Sequence, residues 1–142
     1  MIRNILERKG ANVITIGATD TVRFAAERMR EHGIAALVVK NGDAISGLIS
    51  ERDIVQTVSR HGNAAPSLAV LNIVSQAMIR VAPDDNLKRA MRLMTNNHVR
   101  HLLVIDDGKL VGIVSIGDIV KQRLEDLETE ANVLRDVYMA MR

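Results

Sequence analysis

One internal repeat restricts the possible folds of this chain more than any other feature of its sequence. Residues 14–55 align with residues 79–120 without a gap when the sequence is shifted by 65 positions. The identical pairs include Ile14/Ile79, Asp20/Asp85, Met29/Met94, Leu37/Leu102, Gly47/Gly112, Ser50/Ser115 and Asp53/Asp118. A long period that occurs only twice indicates two copies of one small domain and not a solenoid. Each copy is near the size at which a single core is marginal, so we expect the copies to bury a face against each other and to form a ligand cleft between them.

Both copies contain the pattern Gly-x-x-Ser-x-x-Asp, as Gly47–Asp53 and as Gly112–Asp118. Each copy of the pattern predicts a short apolar strand that stops at the serine and is followed by a helix. The free backbone N–H groups of such a helix start can hold a phosphate near the serine, while the carboxylate accepts hydrogen bonds from sugar hydroxyls. The same residues can instead form only a capping box for their own helix. Both interpretations are open for one copy, and the two corresponding copies favour a ligand site.

The hydrophobic pattern predicts the order β-α-β-β-α in each copy, and therefore an α/β (α+β) fold. In the first copy we expect an extended segment 11–16, helix 21–32, strands 34–39 and 44–50, and helix 51–60. In the second copy we expect an extended segment 79–82, a helix from 83 to 97, strands 99–105 and 110–115, and a final helix.

The remaining segments connect and extend the two copies. Residues 1–10 predict a lead-in helix with Ile2, Ile5 and Leu6 turned inward, and residues 68–78 also predict a helix after the breaker-rich linker 61–67. We therefore expect residues 1–65 to form the first domain with its lead-in helix, residues 66–124 the second domain, and residues 125–142 a C-terminal helix.

The last helix carries a second pattern. Its apolar positions alternate steps of three and four, which is an a/d seam of about two and a half heptads, at Leu124, Leu127, Ala131, Leu134, Tyr138 and Met141. The helix can fold back on its own body or pair with a helix of a second subunit. The polar flanks favour the second subunit.

Composition excludes several classes of function. There is no cysteine, so disulfides and thiolate chemistry are excluded, and no stretch is long and apolar enough for a signal peptide or a membrane span. We expect a soluble cytoplasmic protein without a membrane partner. The net charge is only +2, and the chain has one Phe, one Tyr and no Trp. Without aromatic platforms, nucleic-acid binding is not expected, and an adenine would be gripped by aliphatic side chains and backbone groups.

Together these features resemble a tandem pair of CBS domains, also called a Bateman module. Besides the two Gly-x-x-Ser-x-x-Asp copies, the resemblance includes the helix start at 84–94 and the strand at 99–106, and it covers nearly the whole chain. It implies two repeats packed with pseudo-two-fold symmetry, association into flat homodimers, and regulation by an adenine nucleotide.

The second copy has a basic pair, Arg100 and His101, at the start of the strand that should run antiparallel to the strand ending at Ser115. From there both side chains could reach the helix N-terminus, although a surface arginine and a packed histidine are the plain alternative. The resemblance implies that this basic pair contacts phosphate, and that Ser115 and Asp118 meet phosphate and ribose. The base would then lie near Lys9 and residues 12–15, against Ile14 and Thr15.

Pseudo-symmetry implies a second pocket that uses Ser50 and Asp53 together with residues 78–80, which include Ile79 and Arg80. Here Ala35 and Ala36 replace the basic pair, so a cation would have to come from Arg52 or Arg80. We expect unequal sites, with the monophosphate preferring the second copy. The first-copy site would be empty or take a larger adenine ligand such as a dinucleotide.

Catalysis is not expected. The serines lie at helix starts without a nucleophile-elbow pattern, and the four histidines show no metal-ligand spacing. The sequence predicts a regulatory module that binds AMP, or else ATP, ADP, NAD(H) or S-adenosylmethionine, and signals to an effector protein by a change of shape or assembly. The alternative is a protein-interaction scaffold whose nucleotide clefts no longer function.

Overall fold

The computed structural model describes residues 1–10, 12–74 and 78–141. The described residues form two three-stranded sheets and five α-helices, which confirms the predicted α/β class. The first repeat consists of β1 (Thr15–Gly17), α2 (Val22–His32), β2 (Ala36–Asn41), β3 (Ala44–Ser50) and α3 (Glu51–His61), and it is preceded by α1 (Ile2–Lys9). The second repeat consists of β4 (Arg80–Val81), α4 (Leu87–Asn97), β5 (His101–Asp106), β6 (Lys109–Ser115) and α5 (Ile116–Ala140).

The two sheets have the same topology and register. In each sheet the short first strand pairs in parallel with the central strand, which pairs antiparallel with the third strand. Ala36 lies opposite Ser50 in one sheet, and His101 lies opposite Ser115 in the other. The register shifts at corresponding places, after Val39 and after Val104. The repeat seen in the sequence is therefore a repeat of backbone geometry.

The central strands begin two residues later than predicted. Ile34 and Val99 donate their N–H groups to the carbonyls of Met29 and Met94, at 3.0 and 3.1 Å, so both residues still close the preceding helix. After each of these helices the chain turns at a residue with a left-handed backbone conformation. This residue is Gly33 in the first repeat and His98, which is not a glycine, in the second. Because the N–H groups of Ile34 and Val99 are used to close the helices, they are not available for strand pairing, and the strands begin later.

The described residues form two compact units: Asn12–Met78 and the combination of Met1–Ala11 with Ile79–Arg142. Sequence order predicts that α1 belongs to the first domain, but α1 lies in the unit of the second repeat. The N–H groups of Ile2 and Arg3 donate to the carbonyls of Asp85 and Pro83, at 3.0 and 2.8 Å.

The other unit is completed in the same way by residues that precede the second repeat. The N–H groups of Val70 and Leu71 donate to the carbonyls of Asp20 and Ala18, at 2.9 and 3.0 Å. Each repeat is thus completed by the segment that precedes the other repeat in the chain.

This pairing also explains why the predicted helix 68–78 is wrong over its described part. The chain has 3₁₀ turns at Gly62–Ser67 and Val70–Asn72, and Ala69 bridges to Thr21. Residues whose backbone groups bond to a neighbouring segment cannot also complete helical i to i−4 bonds. The part of the prediction that falls on residues 75–77 lies outside the described residues.

Each unit has its own core. In the unit of the second repeat, Ile2 and Ile5 of α1 are fully buried among residues such as Leu102 and Ile119, which confirms their predicted inward orientation. In the other unit, Leu37 and Val39 of the central strand are fully buried, as Leu102 and Val104 are in the second repeat. Burying side chains of this size contributes about 1.5–3 kcal/mol each, so α1 is an integral part of the second repeat's core.

Candidate functional site

The N-terminus of α5 has the geometry expected from the Ser-x-x-Asp pattern. Ser115 is the N-cap, and its Oγ accepts a hydrogen bond from the Asp118 N–H at 3.1 Å. The Asp118 Oδ2 accepts a hydrogen bond from the Ser115 N–H at 2.9 Å. The two residues therefore form a reciprocal capping box, which holds the hydroxyl and the carboxylate in fixed positions at the helix start.

Lys9 brings a cation to this helix start. Its Nζ lies 2.7 Å from Asp118 Oδ2 and also donates to the Ile113 carbonyl at 2.9 Å. Lys9 is the last residue of α1, so its position follows from the packing of α1 on the second repeat. The structure thus brings together three of the predicted site residues, Lys9, Ser115 and Asp118.

The charge on Asp118 is stabilised by these contacts. Burial acts to raise the pKa of the Asp118 carboxyl, but the hydrogen bonds and positive charge of Lys9 and the hydrogen bonds from Ser115 outweigh it. The net result is a pKa below the ordinary aspartate value. The hydrogen bonds that Lys9 Nζ and the Ser115 N–H donate to this carboxylate both use Oδ2, so Oδ1 can accept from a ligand hydroxyl.

The basic pair lies beside the same helix start. The Ile116 N–H at the beginning of α5 donates to the Arg100 carbonyl at 2.8 Å, and His101 lies opposite Ser115 in the sheet. The predicted antiparallel placement is therefore confirmed. Arg100 is exposed and His101 is partly buried. Their contact with a phosphate stays a prediction.

The N-terminus of α3 repeats the capping box, and Ala35 stands where the second repeat has Arg100. Ser50 Oγ accepts from the Asp53 N–H at 3.3 Å, and Asp53 Oδ2 accepts from the Ser50 N–H at 2.8 Å. The Glu51 N–H donates to the Ala35 carbonyl at 3.0 Å, as Ile116 does to Arg100 in the other repeat. Among the described residues, the Asp53 carboxylate accepts hydrogen bonds only from Ser50.

The small side chains of the first repeat leave open space next to this helix start. A recess of about 570 Å³ lies between the end of α2, the start of β2 and the first turns of α3. Its lining includes Ala26, Met29, Gly33, Ile34, Ala35 and Ile54. The position of Ala35 corresponds to that of Arg100, so the two repeats differ in both charge and shape at the same place.

The other predicted site residues lie on or directly before the first strands of the two sheets, or on α3. The Ile14 and Ile79 carbonyls accept from the N–H groups of the central strands, at 3.2 Å in both sheets. Thr15 begins β1, Arg80 begins β4 and is exposed, and Arg52 is exposed in the first turn of α3. Their contacts with a base or a phosphate stay predictions.

Sequence reasoning did not identify Arg8. Its guanidinium donates to Gln122 Oε1 at 3.1 Å and pairs with Glu125 at 2.9 Å, which ties α1 to the second and third turns of α5. No local pattern signals this contact, because Arg8 and Gln122 are far apart in sequence. Within the described parts of the chain, no cluster of three or more His, Asp or Glu side chains is arranged to hold a metal ion.

Comparison with known proteins shows the family. The sequence model of the CBS domain matches residues 2–60 and 70–125. A mitochondrial CBS domain-containing protein of Arabidopsis thaliana is 36% identical over 84% of this chain and 63% of its own length. An uncharacterized protein of Methanopyrus kandleri is 39% identical over 78% of this chain and 57% of its length. The chain thus spans about three fifths of the length of these relatives.

Solved structures agree with this assignment. The crystal structure of a CBS-domain containing protein from Agrobacterium tumefaciens has a TM-score of 0.84 and 34% sequence identity, and the match covers 86% of this chain and 92% of that chain. The chain belongs to the CBS-domain family and is a CBS pair. Across the described residues, none of the helices combines the length and the apolar character that crossing a bilayer requires.

Proposed function

We propose that this CBS pair is a regulatory module and not an enzyme. It binds an adenine nucleotide at the α5 N-terminus and transmits ligand binding to an effector protein. AMP is the first candidate, and ATP, ADP, NAD(H) and S-adenosylmethionine are the others. The observation that carries the proposal is the convergence of Ser115, Asp118, Lys9 and Arg100 on one helix start.

Each of these groups suits one part of a nucleotide. Backbone N–H groups at a helix start attract an anion, and Arg100, whose carbonyl accepts from the Ile116 N–H, has an exposed side chain that can bind a phosphate in a bidentate manner. The Asp118 carboxylate stays ionised, since its pKa is lowered, and Oδ1 can accept from ribose hydroxyls. Lys9 holds the other oxygen in place, so the carboxylate is oriented before the ligand arrives.

The two repeats should not bind equally. The capping box of α3 lacks the equivalents of Lys9 and Arg100 among the described residues, and a recess with mainly apolar lining lies beside it. We propose that a monophosphate prefers the α5 site and that any ligand at the α3 site makes more apolar contact. The effect on an effector requires that the ligand binds one arrangement of the protein more tightly than another.

A specific observation also favours the scaffold alternative. In the structure, Ser115, Asp118 and Lys9 satisfy one another, so their arrangement is complete as a helix cap without a ligand. In that case the capping-box geometry that the two helix starts share serves stability alone, and the protein acts through protein partners.

Calorimetric titration with AMP separates these functions. Asp118→Ala should weaken AMP binding by roughly 1–3 kcal/mol, which is about 5- to 150-fold, because charged hydrogen bonds to ribose are lost. Asp53→Ala is the matched control, since it removes the same capping box in the other repeat, and we expect AMP affinity at the α5 site to be unchanged.

A thermal-shift screen against the remaining ligands extends this test, because a ligand that binds the folded state raises the unfolding midpoint. A ligand that stabilises the wild type but neither Ser115→Ala nor Asp118→Ala identifies both ligand and site. If no adenine ligand binds the wild type, the nucleotide function is refuted and the scaffold function is left.

A further inference from the structure

The helix α5 continues far beyond the core of its unit. Ile119 and Gln122 are buried, and Glu125 is paired with Arg8, but every residue from 127 to 141 is exposed. An isolated helix of this length is marginal in water even with favourable composition. A partner that covers the apolar side chains of its exposed part would therefore stabilise α5.

One stripe of α5 is apolar along its whole exposed length. It extends the a/d seam by one position toward the N-terminus, at Val120, and then runs through Leu124, Leu127, Ala131, Leu134, Tyr138 and Met141. Val120, Leu124 and Leu134 are 50, 56 and 70% exposed, so the stripe is open and not only a sequence pattern. Three full heptads at 1.5 Å per residue give a stripe of about 32 Å, which is enough for a two-stranded coiled coil.

Five charged residues flank the stripe: Lys121 lies at its N-terminal end, and the other four are spread along it. Arg123 and Glu130 occupy g positions on one side, and Glu128 and Arg135 occupy e positions on the other. All four are exposed. Glu128, Glu130 and Arg135 have no oppositely charged residue three or four positions away in the sequence, so pairs within α5 do not account for these charges.

The charges distinguish the two possible directions of pairing. In a parallel dimer a g residue faces the e residue five positions later in the second copy. Arg123 then meets Glu128, and Glu130 meets Arg135, which gives four attractive pairs per dimer. In an antiparallel dimer that aligns all the apolar layers, Leu124 faces Met141. Glu128 of each copy then meets Arg135 of the other, which gives only two attractive pairs per dimer.

We propose that α5 pairs in parallel with α5 of a second copy of this chain, through residues 120–141. Leucine at the d positions Leu127 and Leu134 suits a two-stranded coiled coil, and the small Ala131 permits close approach in the middle of the seam. The inference deepens the homodimer implied for a CBS pair, and it is independent of the nucleotide site.

Cysteine cross-linking tests the direction directly, because the chain has no cysteine of its own. In a parallel pair, Leu127→Cys and Tyr138→Cys each place two cysteines within disulfide reach, and each variant should become mostly covalent dimer under mild oxidation. The outward f position supplies the matched control, Thr129→Cys, which should stay monomeric on a non-reducing gel.

The other outcomes overturn the proposal. In the antiparallel arrangement the cysteines of two Leu127→Cys copies are about 16 Å apart and cannot form a disulfide. A tagged Leu127→Cys variant mixed with an untagged Tyr138→Cys variant would instead form a mixed disulfide. If no variant cross-links but light scattering of the wild type gives a dimer, the homodimer stands and the α5 pairing is refuted. If the wild type is a monomer, both are refuted.

Charge reversal provides a second, independent measurement. Arg135→Glu should raise the dimer dissociation constant about tenfold in sedimentation equilibrium at low salt, since two attractive pairs become repulsive. The double variant Glu130→Arg/Arg135→Glu restores opposite charges only in the parallel arrangement, so its dissociation constant should return to within about threefold of the wild type. If the double variant stays as weak as Arg135→Glu, the parallel arrangement is refuted.

Discussion

Asp118→Asn is the perturbation that best tests how the α5 N-terminus is built. The substitution keeps the size of the side chain but removes the charge that Lys9 and the Ser115 N–H bind. The Lys9 and Asp118 side chains are 34 and 22% exposed, so the ion pair is partly screened and contributes about 0.5–1 kcal/mol. Weakening the capping box costs about 0.5–1 kcal/mol more. We expect a total loss of about 1–2 kcal/mol in urea unfolding, or a fall in Tm of roughly 3–8 °C.

Asp53→Asn is the matched control for this measurement. It weakens the same capping box, but among the described residues Asp53 has no ion-pair partner. Its loss should therefore be smaller by about 0.5–1 kcal/mol. A double-mutant cycle of Lys9→Met with Asp118→Asn should show a coupling free energy of the same size. Equal losses for the two asparagine variants together with zero coupling would refute the reasoning.

The pH dependence has a definite sign. The folded pKa of Asp118 lies below the ordinary aspartate value of 3.8, so the unfolded chain binds the proton more readily. The stabilisation from Asp118 is present above that ordinary value and is lost as the pH falls through the lowered folded pKa. The stability difference between wild type and Asp118→Asn should thus be constant at neutral pH and shrink in acid. A difference that stays constant through the acid range contradicts this assignment.

Two further predictions concern how α1 and α4 are held in the unit of the second repeat. A Cβ at Gly112 would lie 2.5 Å from Leu6 Cδ2, so Gly112→Ala should cost about 1 kcal/mol in urea unfolding, and most of that loss should disappear in a Leu6→Ala background. The Asn86 Oδ1 accepts from the Arg89 N–H at 2.8 Å, so Asn86→Ala should cost about 1 kcal/mol while AMP affinity is retained. A stability equal to the wild type in either single variant would contradict the corresponding contact.

The repeat made most of the fold predictable from the sequence. Apolar residues that recur every two residues indicate a strand, and those that recur every 3.6 residues indicate a helix. The same order of these patterns returns 65 residues later, which supports each assignment. The starts of the central strands were not predictable to the residue. The end of α4 was predicted at residue 97, as observed, but Val99 still bonds back to Met94, as Ile34 does to Met29, and this delays both central strands.

The position of α1 could not be predicted for a different reason. The apolar spacing of Ile2 and Ile5 defines which face of the helix is buried, but it does not identify the residues that cover that face. The pairs that tie α1 to α5, Lys9 with Asp118 and Arg8 with Glu125, join residues more than 100 positions apart. Only the tertiary structure shows that α1 completes the second repeat.

This placement gives the two repeats different chemistry although their helix starts share one motif. The serine and the aspartate form the same capping box twice, so the motif by itself explains stability in both repeats. The difference comes from residues outside the motif: Lys9 on α1, and Arg100 where the first repeat has Ala35. A phosphate is attracted by net positive charge, and Lys9 and Arg100 add such charge beside the cap of α5. The nucleotide preference of the module should therefore follow the residues around the motif and not the motif itself.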